Sequence, residues 1–330
     1  MATTAAAKSP FSFEELFAQQ HAEPDDDAIL PATVTVTASD GVALAVHVYA
    51  PPDASAATAS ATATALVFYH GGGAHAGAGY EAFARGLAAR GTVLYLPDLR
   101  GHGASGGPRG DAPSKEQVWR DVDAVLAHAA AAHPGGRVVL GGHSSGGGLV
   151  VNYATHGDAA GGAGAGAAAY VLVAPELGYR SGTARPGRTD FATVNVPAFL
   201  AHGLFGILGH SRAVRFRYPP ALLADDPGMV GFNTVHVANA ITPERPREQL
   251  MQMRAARGSD GRPPPLGLWI GADDELLDAG RVADLVATAA GDDDGGDVVA
   301  EVLPGKNHLG ILVDVHERIG SWLDGLRLRD

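Results

Sequence analysis

The sequence predicts an α/β protein, with a mostly parallel central sheet, helices on both faces and one inserted segment. Three observations predict it. From Ala65 onward, short apolar runs alternate with stretches of helical periodicity, the texture of strand–helix–strand units. The strand ends carry Gly72, Ser144, Asp274 and His308, and open sheets of this kind gather functional groups at their strand carboxyl ends. The regular texture then fails between Glu176 and Pro265, where Pro186, Pro197, Pro219, Pro220, Pro227, Pro243 and Pro246 interrupt it. A structureless loop of that length is implausible, so an inserted cap is expected.

Residues 1–30 form an N-terminal extension in which Phe11, Phe13, Leu16 and Phe17 sit at helix-like spacing. Thr33–Thr37 alternates in strand fashion. Ser39-Asp40-Gly41 is turn chemistry, and Val42–Tyr49 completes an antiparallel hairpin at the sheet edge. Pro51–Ala65 reads as an Ala/Ser/Thr-rich surface loop. Ala65–Tyr69 is a buried strand, Tyr80–Arg90 a helix and Thr92–Leu96 the next strand. Lys115–His133 is a long helix whose apolar stripe is Val118, Val122, Val125, Leu126 and Ala129. Val138–Leu140 is a strand, followed by a helix through Leu149, Val150, Val151 and Tyr153. A Gly/Ala-rich loop over 156–169 leads to a strand at Tyr170–Ala174. The core is therefore expected over 31–175 and 266–330, with the cap over 176–265. Within the cap, Val196–Ile207 and Val230–Ile241 are apolar candidate elements, and Arg245–Arg257 is a helix. Leu266–Ile270 restores a strand. A helix at Asp278–Ala290, an acidic turn at Gly291–Asp297, a strand at Val298–Leu303 and an amphipathic helix at Asp314–Leu328 close the chain.

The chemistry centres on Gly142-His143-Ser144-Ser145-Gly146. A Gly-x-Ser-x-Gly string is weak in a chain with 45 glycines, but strand, sharp turn and helix around it make a nucleophile elbow. Strand and helix pass so close there that Gly142 and Gly146 answer a steric demand. A serine hydroxyl is a poor nucleophile until a base takes its proton. Histidine does this near neutral pH, and a carboxylate fixes its tautomer. Ser144, Asp274 and His308 follow in the order Ser…Asp…His.

The chain resembles the α/β-hydrolases, and within them the monoacylglycerol lipase and serine aminopeptidase S33-like group. The matching pieces are Phe68-Tyr69-His70-Gly71-Gly72-Gly73, Pro97-Asp98-Leu99-Arg100-Gly101-His102-Gly103-Ala104-Ser105, Gly142-His143-Ser144-Ser145-Gly146-Gly147, Gly271-Ala272-Asp273-Asp274 and Gly305-Lys306-Asn307-His308. They cover about residues 35–175 and 265–325; the cap matches nothing assignable. The resemblance implies an α/β-hydrolase fold, Ser144 as nucleophile, Asp274 as acid and His308 as base. It also implies an oxyanion hole formed by the Gly72 and Ser145 N–H groups.

Each assignment has a plainer rival. Ser145 is the neighbouring hydroxyl, and its side chain could simply pack or cap the helix. Asp273, Glu275 and Asp278 compete with Asp274, although an acidic loop is usually a solvated face, the reading preferred for Asp273 and Glu275. His316 lies within the last helical pattern and reads as structural. Gly71 or Gly73 could replace Gly72 if the loop register differs, or the glycines could form only a tight turn. His143 is expected to pack beside the elbow. Asp98, His102 and His75 could suggest a metal site, but that segment matches the group's loop architecture, so neither metal nor cofactor is expected. Phe199, Phe205 and Phe232, with Leu200, Ile207, Leu208 and Met229, could line an acyl pocket or form the cap's own core.

The expected activity is cleavage of a carboxylic ester, a monoacylglycerol or medium-chain ester first, through an acyl-enzyme. An aminopeptidase would need acids such as Glu176, Asp225, Asp226 or Glu244 to receive a substrate amine. Thioester or lactone cleavage, acyl transfer to another alcohol, and a ligand-binding receptor that kept the fold are the other readings. A net charge of −12 argues against a nucleic-acid partner and a polybasic membrane anchor. The absence of cysteine excludes disulfides, a thiol nucleophile and a Cys-based zinc site. No apolar run is long enough to span a bilayer and no secretory signal is evident, so a cytoplasmic location and no stable membrane insertion are expected. Oligomeric state leaves no mark in the sequence.

Overall fold

The computed structural model describes residues 29–52, 64–156, 167–187, 191–255, 261–290 and 298–327. The expected helix near Phe11, most of the loop after Pro51, much of the Gly/Ala-rich loop before Ala169 and the acidic turn at 291–297 lie outside them.

Eight strands form one sheet. They are β1 (Ala32–Thr37), β2 (Ala43–Tyr49), β3 (Ala65–Tyr69), β4 (Val93–Pro97), β5 (Val138–His143), β6 (Ala169–Val173), β10 (Leu266–Gly271) and β11 (Val298–Leu303). Their spatial order is β1-β2-β4-β3-β5-β6-β10-β11. The β1–β2 and β2–β4 pairs are antiparallel, and every later pair is parallel. Strands β3, β4, β5, β6 and β10 are buried from end to end. Parallel strands covered on both faces lose the alternation of a half-exposed strand and read as continuous apolar runs.

The helices of the core are α1 (Glu81–Ala89), α2 (Lys115–Ala132), α3 (Ser145–Ala154), α8 (Ala279–Ala290) and α9 (Val315–Arg327). Ser114 starts α2 by accepting the Gln117 N–H, satisfying one of the amides that a helix N-terminus leaves open. Helices α1 and α9 pack on each other. There the His316 ring fills the space a side chain at Gly86 would need, a structural role as expected.

Between β6 and β10 lie α4 (Val196–Phe205), α5 (Pro220–Asp225), α6 (Val235–Ile241), α7 (Pro246–Ala255) and three short antiparallel strands: β7 (Ala192–Val194), β8 (Arg212–Phe216) and β9 (Phe232–Thr234). The apolar stretch Val230–Ile241 forms two elements, β9 and α6. The insertion has two characters. Val237, Ala240, Ile241, Leu250 and Met253 of α6 and α7 join the main hydrophobic core. Ala198, Ala213 and Val235 form a small separate cluster with Phe199 packed against it. Hydrogen bonds bind the cap to the body: Arg109 donates to the carbonyls of Pro227 and Gly228, Val230 N–H to Gly73, and Thr234 N–H to Gly110. The outer face of α4 is apolar yet open to solvent, with Leu204 and Phe205 each 73% exposed.

Candidate active site

Four loops at the carboxyl ends of β3, β5, β10 and β11 build the site. Ser144 sits between β5 and α3 with φ 54° and ψ −121°. Such a conformation costs a non-glycine residue about 1–3 kcal/mol and persists only where its surroundings fix it. Here the Ser144 N–H donates to Val173 (3.0 Å), and its carbonyl accepts from Glu176 N–H (2.9 Å) and Gly148 N–H (3.2 Å). A side chain on Gly142 would strike the Gly146 backbone, and one on Gly146 would strike the Tyr69 carbonyl, which is why the elbow needs both glycines.

The three expected groups meet. His308 Nε2 lies 3.0 Å from Ser144 Oγ, and His308 Nδ1 lies 2.7 Å from Asp274 Oδ2. Asp274 Oδ1 accepts the N–H groups of Leu276 (2.9 Å) and Leu277 (2.8 Å), so the carboxylate cannot swing away. Burial opposes charge on Asp274, but the His308 ring and these hydrogen bonds outweigh it and hold its pKa below the usual carboxylate value. Burial likewise opposes charge on His308. The negative field of Asp274, its hydrogen bond, and the charges of Glu275 and Glu176 prevail, leaving His308 above the usual imidazole value. The ring is thus a stronger base than a free histidine, with Nδ1–H donated to Asp274 and Nε2 turned to the serine.

A second network ties the base to the glycine loop. Gly71 N–H donates to Tyr80 Oη (2.7 Å), Tyr80 O–H donates to His143 Nδ1 (2.9 Å), and His143 Nε2–H donates to the His308 carbonyl (3.0 Å). This chain of donors requires a neutral His143, and burial next to His308 does push its pKa down to about 3. His70 fixes the same loop from the other side: its Nδ1–H donates to the Gly71 carbonyl and its Nε2 accepts Leu99 N–H. Tyr218, arriving from the cap, donates to the Gly72 carbonyl at 2.6 Å. Among the described residues, no partner takes the N–H of Gly72 or of Ser145.

A cavity opens beside Ser144, lined by Gly71, Gly72, Tyr80, His143, His308, Leu309, Ala74, Ala78, Phe191 and Tyr218. Phe199, Phe205 and Phe232, candidates either for a pocket wall or for the cap's own core, are not among its lining residues. Phe199 packs on the cap's own small core, Phe205 faces solvent, and Phe232 lies under the Arg212 guanidinium at 3.9 Å. Phe191 and Tyr218 take their place, with Phe216 packed between them and Gly72. The sequence did hold a signal: Val214, Phe216 and Tyr218 alternate with Arg215 and Arg217, the period of a strand with one apolar face. Gly73 is turned toward Val230, Phe216 and Tyr218 and does not line the cavity.

Glu275 also departs from expectation. It is not merely solvated, because its Oε2 accepts the His308 backbone N–H at 2.9 Å and pins the loop that carries the base. Asp273 is exposed as expected. Asp98 is committed to the N–H groups of Ala76 and Ala104, His102 to Asn233 and the Arg100 carbonyl, and His75 to Asp226. Among the described residues, no group of three or more His, Asp or Glu side chains is arranged to hold a metal ion.

A sheet of this topology, with Ser, His and Asp joined at the ends of its strands and a cap inserted above, defines an α/β-hydrolase with a serine nucleophile. The chain belongs to the serine aminopeptidase, S33 family, whose profile matches residues 60–308. It is 41% identical over 88 residues to a monoacylglycerol lipase of Mycolicibacterium smegmatis, a match covering 26% of this chain and 31% of that protein. The structure resembles that of a soluble variant of monoglyceride lipase from Saccharomyces cerevisiae bound to a substrate analog, with TM-score 0.67, 17% identity, and 92% and 99% of the two chains covered. It also resembles the monoacylglycerol lipase of Paleococcus ferrophilus, with TM-score 0.56, 19% identity, and 86% and 98% covered. At those identities the structural likeness establishes the fold. Among the described residues, no helix is long and apolar enough to cross a membrane.

Proposed function

We propose that this chain hydrolyses carboxylic esters with apolar acyl groups, monoacylglycerols or medium-chain esters first. His308 Nε2 takes the proton of Ser144 Oγ as the oxygen attacks the ester carbonyl. The N–H groups of Gly72 and Ser145 receive the negative charge that develops on the carbonyl oxygen. Removing one such donor typically costs ~10²–10³-fold in turnover. His308 then protonates the departing alcohol and activates the water that cleaves the acyl-enzyme. The loop register supports Gly72 over Gly71, because the Gly71 N–H is already given to Tyr80.

The observation that carries the substrate class is the cavity lining. Its walls away from the triad are Ala74, Ala78, Phe191, Tyr218 and Leu309, and no carboxylate is among the described residues that line it. A peptidase that receives a free α-amine would set an acid there. Of the cap acids that could do so, Asp226 is paired with His75 at 2.8 Å, and Glu176 Oε1 accepts the Gly178 N–H at 3.0 Å. The exposed apolar face of α4 also suits contact with a lipid ester. The test compares p-nitrophenyl esters of graded acyl length with aminoacyl anilides, alongside fluorophosphonate labelling mapped by mass spectrometry. Ester turnover lost in Ser144→Ala, with label on Ser144, is expected. Faster anilide than ester turnover would reverse the assignment, and multiple turnover at any useful rate removes a receptor role.

A further inference from the structure

We infer that the side chain of Ser145, and not only its backbone, serves the reaction: its hydroxyl is a third donor in the oxyanion hole. This rests on the ester-hydrolase reading above. Ser145 opens α3 directly after the nucleophile. Its Oγ is shut away from solvent and has no hydrogen-bond partner among the described residues. It therefore neither caps α3 nor ties the elbow to the body. A hydroxyl left buried and unpaired is unfavourable, and no described group takes or offers a hydrogen bond to it in the resting site. The oxygen lies 3.3 Å from where a Cβ on Gly72 would stand, which places it beside the residue whose N–H is also without a partner. Three donors without partners among the described residues thus lie on two neighbouring residues next to the nucleophile: the Gly72 N–H, the Ser145 N–H and the Ser145 O–H.

The chemistry follows from the inventory of a hydroxyl, one donor hydrogen on a freely turning bond. As Ser144 attacks, the carbonyl oxygen gains negative charge. The Ser145 O–H turns to donate to it and turns back when the carbonyl reforms. No proton is transferred, and Ser145 forms no covalent bond. A donor unused in the ground state and engaged in the transition state raises kcat more than it lowers KM.

The experiment compares wild type, Ser145→Ala and Ser145→Cys; the last keeps the shape but donates weakly. Ser145→Ala retains the backbone N–H, so only the side chain is tested. Expected is a fall in kcat of about 10- to 100-fold with KM within about 2-fold, and an intermediate rate for Ser145→Cys. Affinity for a trifluoromethyl ketone, which forms a tetrahedral oxyanion on Ser144, falls by the same factor as kcat/KM. The melting temperature stays level or rises, because an unpaired buried hydroxyl has been removed. Unchanged kcat and ketone affinity in Ser145→Ala, with wild type still labelled at Ser144 by a fluorophosphonate, overturns this inference and leaves the ester reading standing. A rate loss that tracks a lowered melting temperature overturns it too. A wild type that neither turns over esters nor takes the label removes the ester reading, and this inference with it.

Discussion

Replacing Tyr80 with phenylalanine removes one oxygen from the centre of the site's internal scaffold. Tyr80 is 2% exposed, and its ring packs near Phe68 and His143, contacts that phenylalanine keeps. What it loses is the atom that accepts from Gly71 N–H and donates to His143 Nδ1. Both groups then stay buried without a partner. At about 1–3 kcal/mol for each orphaned group, and allowing some relaxation of the His143 ring, the variant is less stable by about 2–4 kcal/mol. That is a large share of the ~5–15 kcal/mol that typically holds a domain together. Urea unfolding reads it as a lower midpoint at unchanged slope. Turnover should also fall, by about 10-fold, because Gly72 follows the freed loop while the triad itself is untouched. A stability loss below about 0.5 kcal/mol would show that the relay is not holding the loop, and the coupling drawn here between glycine loop and base would be wrong.

The acid limb of kcat/KM should have its midpoint above 6.5, since activity needs neutral His308 and that group is raised. Activity then rises with pH through this midpoint, and Glu176→Gln moves it down. The linked stability runs the other way: the charged His308 is favoured in the folded state, so its contribution is full below 6.5 and is lost as pH rises through the folded value. Gly72→Ala should depress kcat, because the new Cβ would lie 2.8 Å from two atoms of the Phe216 ring. Pairing it with Phe216→Leu should recover part of the rate, whereas an unrelieved double variant would locate the damage in the backbone. Arg100→Met should cost about 3–5 kcal/mol in thermal unfolding, because Arg100 holds buried Asp121 through two hydrogen bonds and Asp40 through two more. Burial already keeps Asp121 above the usual carboxylate value. Losing the guanidinium raises it further, so the defect should be smaller at pH 5 than at pH 8.

The parts of this molecule that local chemistry determines were legible, and the parts that long-range contact determines were not. Strands β3, β5 and β10 are buried from end to end and open on continuous apolar residues because both their faces are covered, so each announces itself without reference to any other. The strand ends could be read for the same reason: Ser144 between close-packed glycines, Asp274 after Gly271, and His308 after Pro304-Gly305 are local constructions. In the cap the information is spread differently. Strands β7 and β9 have three residues each and exist only because β8 pairs with both. No window of that length carries a strand signal of its own.

The choice left open for the cap aromatics, pocket wall or cap core, follows from the same physics. Phe199 and Phe232 have the composition of pocket walls, but which way an aromatic faces depends on what packs behind it. Ala198, Ala213 and Val235 claim Phe199, and Arg212 covers Phe232. Glu275 illustrates the converse. Its charge marked it for solvent, yet a backbone N–H 33 residues away needed an acceptor, and that demand can be seen only once the two loops meet. Tyr80 likewise read as the opening of a helix, while its hydroxyl joins loops from β3 and β5. Triad residues can be named from sequence because each sits in a locally strained or glycine-bounded turn. The residues that orient them are recruited across the fold, by whichever buried polar atom is left to satisfy.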